Sequence, residues 1–148
     1  MIKKTIAYTD FNGTQRTEEV YFNLTKAELM DMELTTEGGM AERLQKIIDA
    51  NNGVEIYKMF KSFVRLAYGV KSDDGRRFQK KNPITGRLLF DEFEETEPYN
   101  VFFTEILTDT QKAIDFVNAL IPEDLMKQVK EAQAAGKIPN MPTISSTT

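Results

Sequence analysis

Hydrophobic and polar residues alternate at the start of the chain, and this pattern predicts paired β-strands. From Lys3 to Tyr8, β-forming residues alternate with polar ones, and similar composition resumes in "TEEVYFNL" (17–24) after "DFNGT" (10–14). Asn-Gly favours a tight turn, because both central residues of a type I′ turn need positive φ. The pattern therefore predicts a β-hairpin over about residues 2–23.

A helix is predicted directly after this hairpin. Thr25 and Glu28 have the spacing of a capping box, and Leu24 is placed to pack against Leu29 as a hydrophobic staple. These signals predict a helix over about residues 26–34. An isolated hairpin is only marginally stable in water, so the helical part of the chain must cover one of its faces.

The remaining apolar residues recur at the three- and four-residue spacing of amphipathic helices. The helices predicted from this spacing cover about residues 40–50, 54–68, 89–93, 98–107, 110–121 and 123–135. The fold class is therefore α+β and mainly α, with an N-terminal β-hairpin followed by a compact helical bundle. We expect one domain over residues 1–135, with helices over about 26–135, and a flexible tail over 136–148.

Net charge and the length of the apolar runs limit the kinds of partner that we expect for this chain. The 148 residues carry a formal net charge of −4, and the isoelectric point is near 5.0. Nucleic acids and anionic membranes both attract broad positive surfaces, so neither is an expected partner. No apolar run approaches the roughly 18 residues that a bilayer span needs, and no segment is typical of a signal peptide. The expected location is a cytoplasm.

The residue types that the chain lacks argue against an enzyme. It contains no cysteine, no histidine and no tryptophan. Thiol nucleophiles, thiolate metal sites, the Ser-His-Asp triad and the HExxH zinc site are therefore excluded. We predict no catalytic residues, no metal ligands and no cofactor.

The charged run "YGVKSDDGRRFQKK" (68–81) is the most unusual segment. It matches neither a P-loop nor a dinucleotide-binding turn, and its arginines follow the acidic residues where an EF-hand would need further ligands. We interpret it as a structural loop in which Gly69 ends the preceding helix in a left-handed conformation and Asp-Asp-Gly forms a turn. Its arginines would pair with the acidic segment 91–97, and the loop could extend into a subunit contact. The residues of this loop are Lys71, Asp73, Asp74, Gly75, Arg76 and Arg77.

A nucleic-acid contact is the alternative for the wider basic run 71–87. Acidic residues follow this run within the next ten positions. Neighbouring blocks of opposite charge pair with each other more often than with phosphate, so the structural loop is the preferred interpretation.

Large apolar residues that are adjacent in sequence predict a surface that a partner covers. Tyr21 and Phe22 are neighbours, as are Phe102 and Phe103, and neighbouring residues cannot share one face of a strand or helix. Methionines add flexible apolar surface, which adaptable binding sites use. The predicted partner-binding residues are Tyr21, Phe22, Met30, Met32, Phe102, Phe103 and Met126.

Three stretches of the chain together resemble one protein family. They are "IAYTDFNGTQRTEEVYFNLTKAEL" (6–29), "AYGVKSDDGRRF" (67–78) and "FEETEPYNVFFTEILTDTQKAIDFVNALIP" (93–122). In this order they resemble the short tail assembly chaperones of long-tailed, siphovirus-type bacteriophages of Gram-positive hosts.

The resemblance implies a non-enzymatic protein that binds the tape measure protein, a very long helical chain, and keeps it soluble. It also implies tail tube protein as a partner, action in the host bacterial cytoplasm and absence from the mature virion. Members of the family often have a longer, frameshifted form, and the C-terminal tail would suit a linker to such an extension. Several copies on one client would add up weak contacts. Self-association is a separate expectation.

Two other functions remain open at this stage. The first is a structural tail-completion protein, or another protein-interaction module, that stays in the virion. The second is a small nucleic-acid-binding protein that uses the basic run 71–87.

Overall fold

The structure is a computed structural model that describes residues 1–136, except for the side chains at positions 123, 126, 129 and 130. All but the first residue of the predicted tail, 136–148, lies outside the described residues. The elements in chain order are β1 (Ile2–Thr9), β2 (Gln15–Phe22), α1 (Lys26–Thr35), α2 (Met40–Ala50), α3 (Gly53–Ala67), β3 (Tyr68–Lys71), β4 (Phe78–Gln79), α4 (Leu89–Phe93), α5 (Glu97–Leu107), α6 (Thr110–Leu120) and α7 (Glu123–Ala134).

The predicted α+β class is confirmed, but the sheet is larger than the predicted hairpin. β1 and β2 pair antiparallel from Ile2↔Phe22 to Thr9↔Gln15, as the alternation predicts. The turn between them is not the predicted type I′ turn, because Gly13 has a φ of 85° but the φ of Asn12 is not positive, and the Gly13 N–H donates to the Asp10 carbonyl at 2.9 Å. β3 and β4 extend this hairpin into a four-stranded sheet of order β1-β2-β3-β4. The segment after α3, predicted to be a loop, is therefore a second, short hairpin.

The capping box at the start of α1 is present as predicted. The Glu28 N–H donates to Thr25 Oγ1 (3.1 Å), and the Thr25 N–H donates to Glu28 Oε1 (2.9 Å). Leu24 and Leu29 are both buried beside this cap. The chain therefore turns from β2 into α1 at a fixed angle, which places α1 against the bundle.

The prediction that Gly69 ends α3 in a left-handed conformation is wrong. Gly69 is a strand residue of β3 that pairs with Tyr21, and its φ is not positive. A Cβ at this position would lie 2.4 Å from Phe78 Cε2 and 2.6 Å from the Gln79 carbonyl oxygen. The glycine is needed because the Phe78 ring packs directly on the backbone of β3.

An aromatic cluster between the sheet and the helices forms the centre of the core. Phe22, on the inner face of β2, is fully buried, and its ring stacks on Phe102 of α5 at 4.9 Å between centroids. It makes edge contacts with Phe116, Tyr68 and Phe93. The Tyr68 ring stacks on Phe93 at 4.2 Å, and burial raises the pKa of Tyr68 to about 12. The cluster therefore joins strands, α4, α5 and α6.

Lys80 connects three parts of the fold through hydrogen bonds. Its Nζ atom donates to the carbonyl oxygens of Leu66 (2.6 Å) and Asn23 (2.8 Å) and to Glu28 Oε2 (3.1 Å). Burial lowers the pKa of Lys80, and Glu28 opposes that effect. Burial alone would raise the pKa of Glu28, but the Thr25 N–H and the Lys80 ammonium lower it. Lys80 thus fixes β4 to the end of α3 and the start of α1.

Replacing Gly69 should destabilise the fold strongly. We expect Gly69→Ala to lower the free energy of unfolding by about 2 kcal/mol or more, because the new methyl group would overlap Phe78 and the Gln79 carbonyl. Gly53→Ala is the matched control, since the Cβ of that variant meets open space. Urea denaturation measures both, and equal stability of the two variants would contradict this assignment.

Removing the Lys80 ammonium should also weaken the fold. We expect Lys80→Met to cost about 2–3 kcal/mol, because two carbonyl oxygens and a carboxylate lose a charged donor. Lys81→Met is the control, because Lys81 is exposed. An unchanged urea midpoint for Lys80→Met would show that these hydrogen bonds do not stabilise the fold.

Acid should remove part of the Lys80 contribution. The folded state lowers the pKa of Glu28, so the stability that this carboxylate contributes is present above its ordinary value of 4.5 and is lost as the pH falls through the lower folded value. The difference in unfolding free energy between the native chain and Lys80→Met should therefore shrink below pH 4.5. A difference that stays constant into strong acid would contradict the Lys80–Glu28 pairing.

Candidate binding surface

Several of the predicted partner-binding residues belong to the core. Phe22, Phe102 and Phe103 are 0%, 2% and 6% exposed. They pack in the aromatic core and none of them lines the groove described below, so that part of the prediction is corrected. The physical reason is that α5 is covered on more than one side, with Phe102 against Phe22 and Phe116 while Phe103 contacts Phe60 and Tyr99.

The other predicted residues lie closer to the surface. Met30 and Met32 are half-buried against the core. Tyr21 is half-buried on the outer face of the sheet, where Lys71 Nζ lies 5.7 Å from its ring centroid. The side chain of Met126 lies outside the described residues. For Tyr21, Met30 and Met32 a role in partner binding stays a prediction.

The charged loop is a self-contained turn rather than a connection to the acidic segment. The Ser72 N–H donates to the Arg77 carbonyl (2.8 Å), and Asp74 accepts from the Arg76 N–H (3.0 Å) and the Ser72 hydroxyl (2.7 Å). The Arg76 N–H, with the Ser72 hydroxyl, lowers the pKa of Asp74. Gly75 has a φ of 73°, which fits the predicted Asp-Asp-Gly turn.

The predicted pairing of Arg76 and Arg77 with segment 91–97 is wrong. In the described part of the chain, that segment pairs instead with Arg65 (Asp91, 2.9 Å), Arg87 (Glu95, 3.6 Å) and Lys61 (Glu94, 3.8 Å). Two members of the basic run, Lys80 and Arg87, thus have partners inside the fold. The subunit contact proposed for Lys71, Asp73 and their neighbours stays a prediction.

An apolar groove lies between α1, α2 and α3, and Met32 is the one lining residue that is among the predicted partner-binding residues. Its volume is about 400 Å³, within the range of about 300–1,000 Å³ typical of ligand sites. The apolar lining residues are Met32, Met40, Leu44, Ile47, Met59, Phe63 and Leu66. Met40, Leu44, Met59 and Phe63 are buried in its floor, Met32 and Ile47 are half-buried, and Leu66 is exposed at its border. Three of the seven methionines of the chain are therefore in one groove.

The groove has a positively charged rim. Arg43 of α2 and Lys58 of α3 both line it, together with Glu55. Lys58 pairs with Glu55 at 3.7 Å, and Arg43 has no ion pair among the residues that the structure describes. The groove can therefore take apolar side chains in its floor and an acidic group at its edge.

The position of α2 decides the shape of this groove. Gly38 and Gly39 precede α2 with φ values of 77° and 87°, and Asn51 follows it at 50°. Met40 and Leu44 bury the inner face of α2. Glu33, which is 1% exposed, accepts a hydrogen bond from the Ala41 N–H at 3.0 Å. A carboxylate at a helix N-terminus also interacts favourably with the helix dipole, so Glu33 joins α1 to α2.

Exposed apolar residues outside the groove are scattered. The large ones include Phe11, Val54, Tyr57, Val70, Ile84 and Leu107. Tyr57 and Leu107 border a smaller cavity of about 180 Å³ between α3 and α6. Single exposed apolar residues are normal on protein surfaces, so the groove is the strongest candidate site.

The described residues form neither a metal site nor a membrane-spanning helix. Among residues 1–136, no group of three or more acidic residues is arranged to hold a metal ion. None of the described helices combines the length and apolar character that a bilayer span requires.

Comparison with known protein families identifies the class of protein. The family model described as "Phage tail assembly chaperone" matches residues 1–147. The chain therefore belongs to the phage tail assembly chaperone family, as the sequence resemblance predicts, and its role is that of a chaperone in tail assembly. No curated protein and no solved structure matches the chain.

The contact between Glu33 and α2 can be tested by hydrogen exchange. We expect Glu33→Ala to raise exchange rates of the α2 amides at least about tenfold, because a hydrogen bond to a charged group contributes more than 1.4 kcal/mol. Glu42→Ala is the control, since Glu42 lies in α2 and its side chain is exposed. Rates in α2 that are equal for both variants would contradict the role of Glu33.

Proposed function

We propose that this chaperone binds the tape measure protein by accepting apolar side chains of its helices into the groove between α1, α2 and α3. The methionine lining of the groove carries this proposal. Methionine side chains are flexible and polarisable, so one groove can fit many different apolar side chains. A chaperone that holds different segments of a long helical client needs this tolerance.

We expect a client helix to lie along this groove. Helices bind to grooves through anchors at positions i, i+3 or i+4, and i+7, and α2 and α3 supply the two walls. Each anchor of leucine size contributes about 1.5–3 kcal/mol on burial, and the costs of association remove much of the total. Binding per contact is then moderate, which permits release.

We propose that the protein has no enzymatic activity. It acts in the host bacterial cytoplasm, keeps the tape measure protein soluble while tail tube protein assembles, and leaves before the virion is complete. Belonging to the tail assembly chaperone family supports this role. Phosphate binding through the basic run 71–87 is disfavoured, because Lys80 and Arg87 already have acidic partners.

Co-expression with the tape measure protein of the same phage tests the function. The client should be soluble with the chaperone and insoluble without it. Leu66→Lys should weaken binding at least about tenfold, because Leu66 is 44% exposed and borders the groove. Ile84→Lys is the matched control, since Ile84 is 93% exposed and is not part of the groove.

Two results would contradict the proposal at different levels. A client that is equally insoluble with and without the native chain would show that the chain is not its chaperone. A client that Leu66→Lys keeps as soluble as the native chain does would show that the groove is not the binding surface. Circular dichroism of both variants checks that each is folded.

A further inference from the structure

Among residues 1–136, no strand pairs with the outer edge of β1, which is long. β1 pairs with β2 along all eight of its residues, and it is the first strand in the sheet order. The opposite edge of the sheet, β4, has only two residues. Natural proteins usually cover, shorten or bend long edges, because unpaired backbone groups there can pair with another chain. β1 has no proline, and its register with β2 continues without a bulge.

Hydrogen bonds at the ends of the hairpin identify the backbone groups that face outward. The Asp10 N–H donates to the Thr14 carbonyl (2.8 Å), and the Asn23 N–H donates to the Ala67 carbonyl (2.9 Å). In antiparallel sheets, successive residues point their backbone groups to opposite sides. The even-numbered residues of β1 therefore bond to β2, and Lys3, Thr5, Ala7 and Thr9 point away from it.

These four residues are all exposed, and within residues 1–136 their outward N–H and C=O groups have no hydrogen-bond partner. The side chains of β1 fall on two faces. Ile6 is buried on the inner face, and Lys4 and Tyr8 are half-buried beside it. A second strand that pairs with this edge must match both the backbone positions and these two faces.

We propose that β1 pairs antiparallel with β1 of a second copy of this chain, which makes a two-fold dimer with a continuous sheet. In the register that uses all four outward-facing residues, Lys3 pairs with Thr9 of the second copy and Thr5 pairs with Ala7. Each such pair exchanges two bonds, so the contact forms about eight backbone hydrogen bonds. Ile6 meets Ile6 of the second copy at the two-fold axis and extends the buried face.

Charge complementarity favours a second copy as the occupant. Among the described residues, neither Lys4 nor Glu18 has an ion-pair partner, and Glu18 accepts a hydrogen bond from the Tyr8 hydroxyl. The proposed register places Lys4 opposite Tyr8 of the second copy, whose hydroxyl donates to Glu18. Arg16 faces Tyr8 across the hairpin of that copy, but Asp10 pairs with Arg16 at 2.8 Å. No lysine faces another lysine. The β1–β2 hairpin of each copy therefore supplies both the cation and the acidic group that faces it, as a two-fold contact requires.

Sedimentation velocity of the full chain over a range of concentrations tests the dimer. Ala7→Pro removes an N–H that points away from β2, so the hairpin keeps its own hydrogen bonds while the dimer loses two. We expect Ala7→Pro to weaken dimerisation at least about tenfold. Ala7→Val is the matched control, which keeps the N–H and should remain dimeric. A native chain that stays monomeric, or a dimer that Ala7→Pro preserves, would overturn the proposal.

The register has its own test in this cysteine-free chain. A short thiol-specific cross-linker should join T5C to A7C in a mixture of the two variants, because those positions are opposite each other. It should join T5C to itself much less. Preferential cross-linking of T5C to itself would place the axis at Thr5 and overturn the proposed register. Since this test involves no client, its result is independent of the tape measure proposal.

Discussion

Burial of the inner face of the hairpin against the helices is the interaction on which the rest of this structure depends. Phe22 is fully buried and contacts aromatic rings from β3, α4, α5 and α6. Because this single cluster joins strands that are distant in sequence from the helices, the sheet and the bundle share one core. Lys80 supplies a second connection where β4 meets the ends of α3 and α1.

The position of the aromatic core also explains why a groove remains beside α2. α2 contributes no aromatic residue to the cluster, and it packs on α1 and α3 through Met40 and Leu44. Methionine and aliphatic side chains, together with the Phe63 ring, therefore line the space beside α2, outside the aromatic cluster. The groove and the open edge of β1 are separate surfaces in this account: the first suits apolar side chains of a client, and the second suits the backbone of a second copy.

Local signals were predictable from sequence, and tertiary contacts were not. The Thr25–Glu28 capping box lies within one turn, so it identifies the start of α1 correctly. Gly69 resembles a helix-terminating glycine locally, but the Phe78 ring decides its conformation from nine residues away. The prediction that Phe102 or Phe103 is exposed assumes that a helix is covered on one face only. α5 is covered on more than one side, so both rings are buried. Met32 was identified as a candidate, while Met40 and Met59 join it only through the packing of three helices.

The most direct test of the central claim follows the methionine methyl groups by NMR while a soluble helical segment of the tape measure protein is added. We expect the signals of Met32, Met40 and Met59 to shift together, because all three line the groove. The Met1 signal should stay in place, since that side chain is 68% exposed and lies outside the groove. Binding of the segment without any change in the three groove methionines would contradict the account.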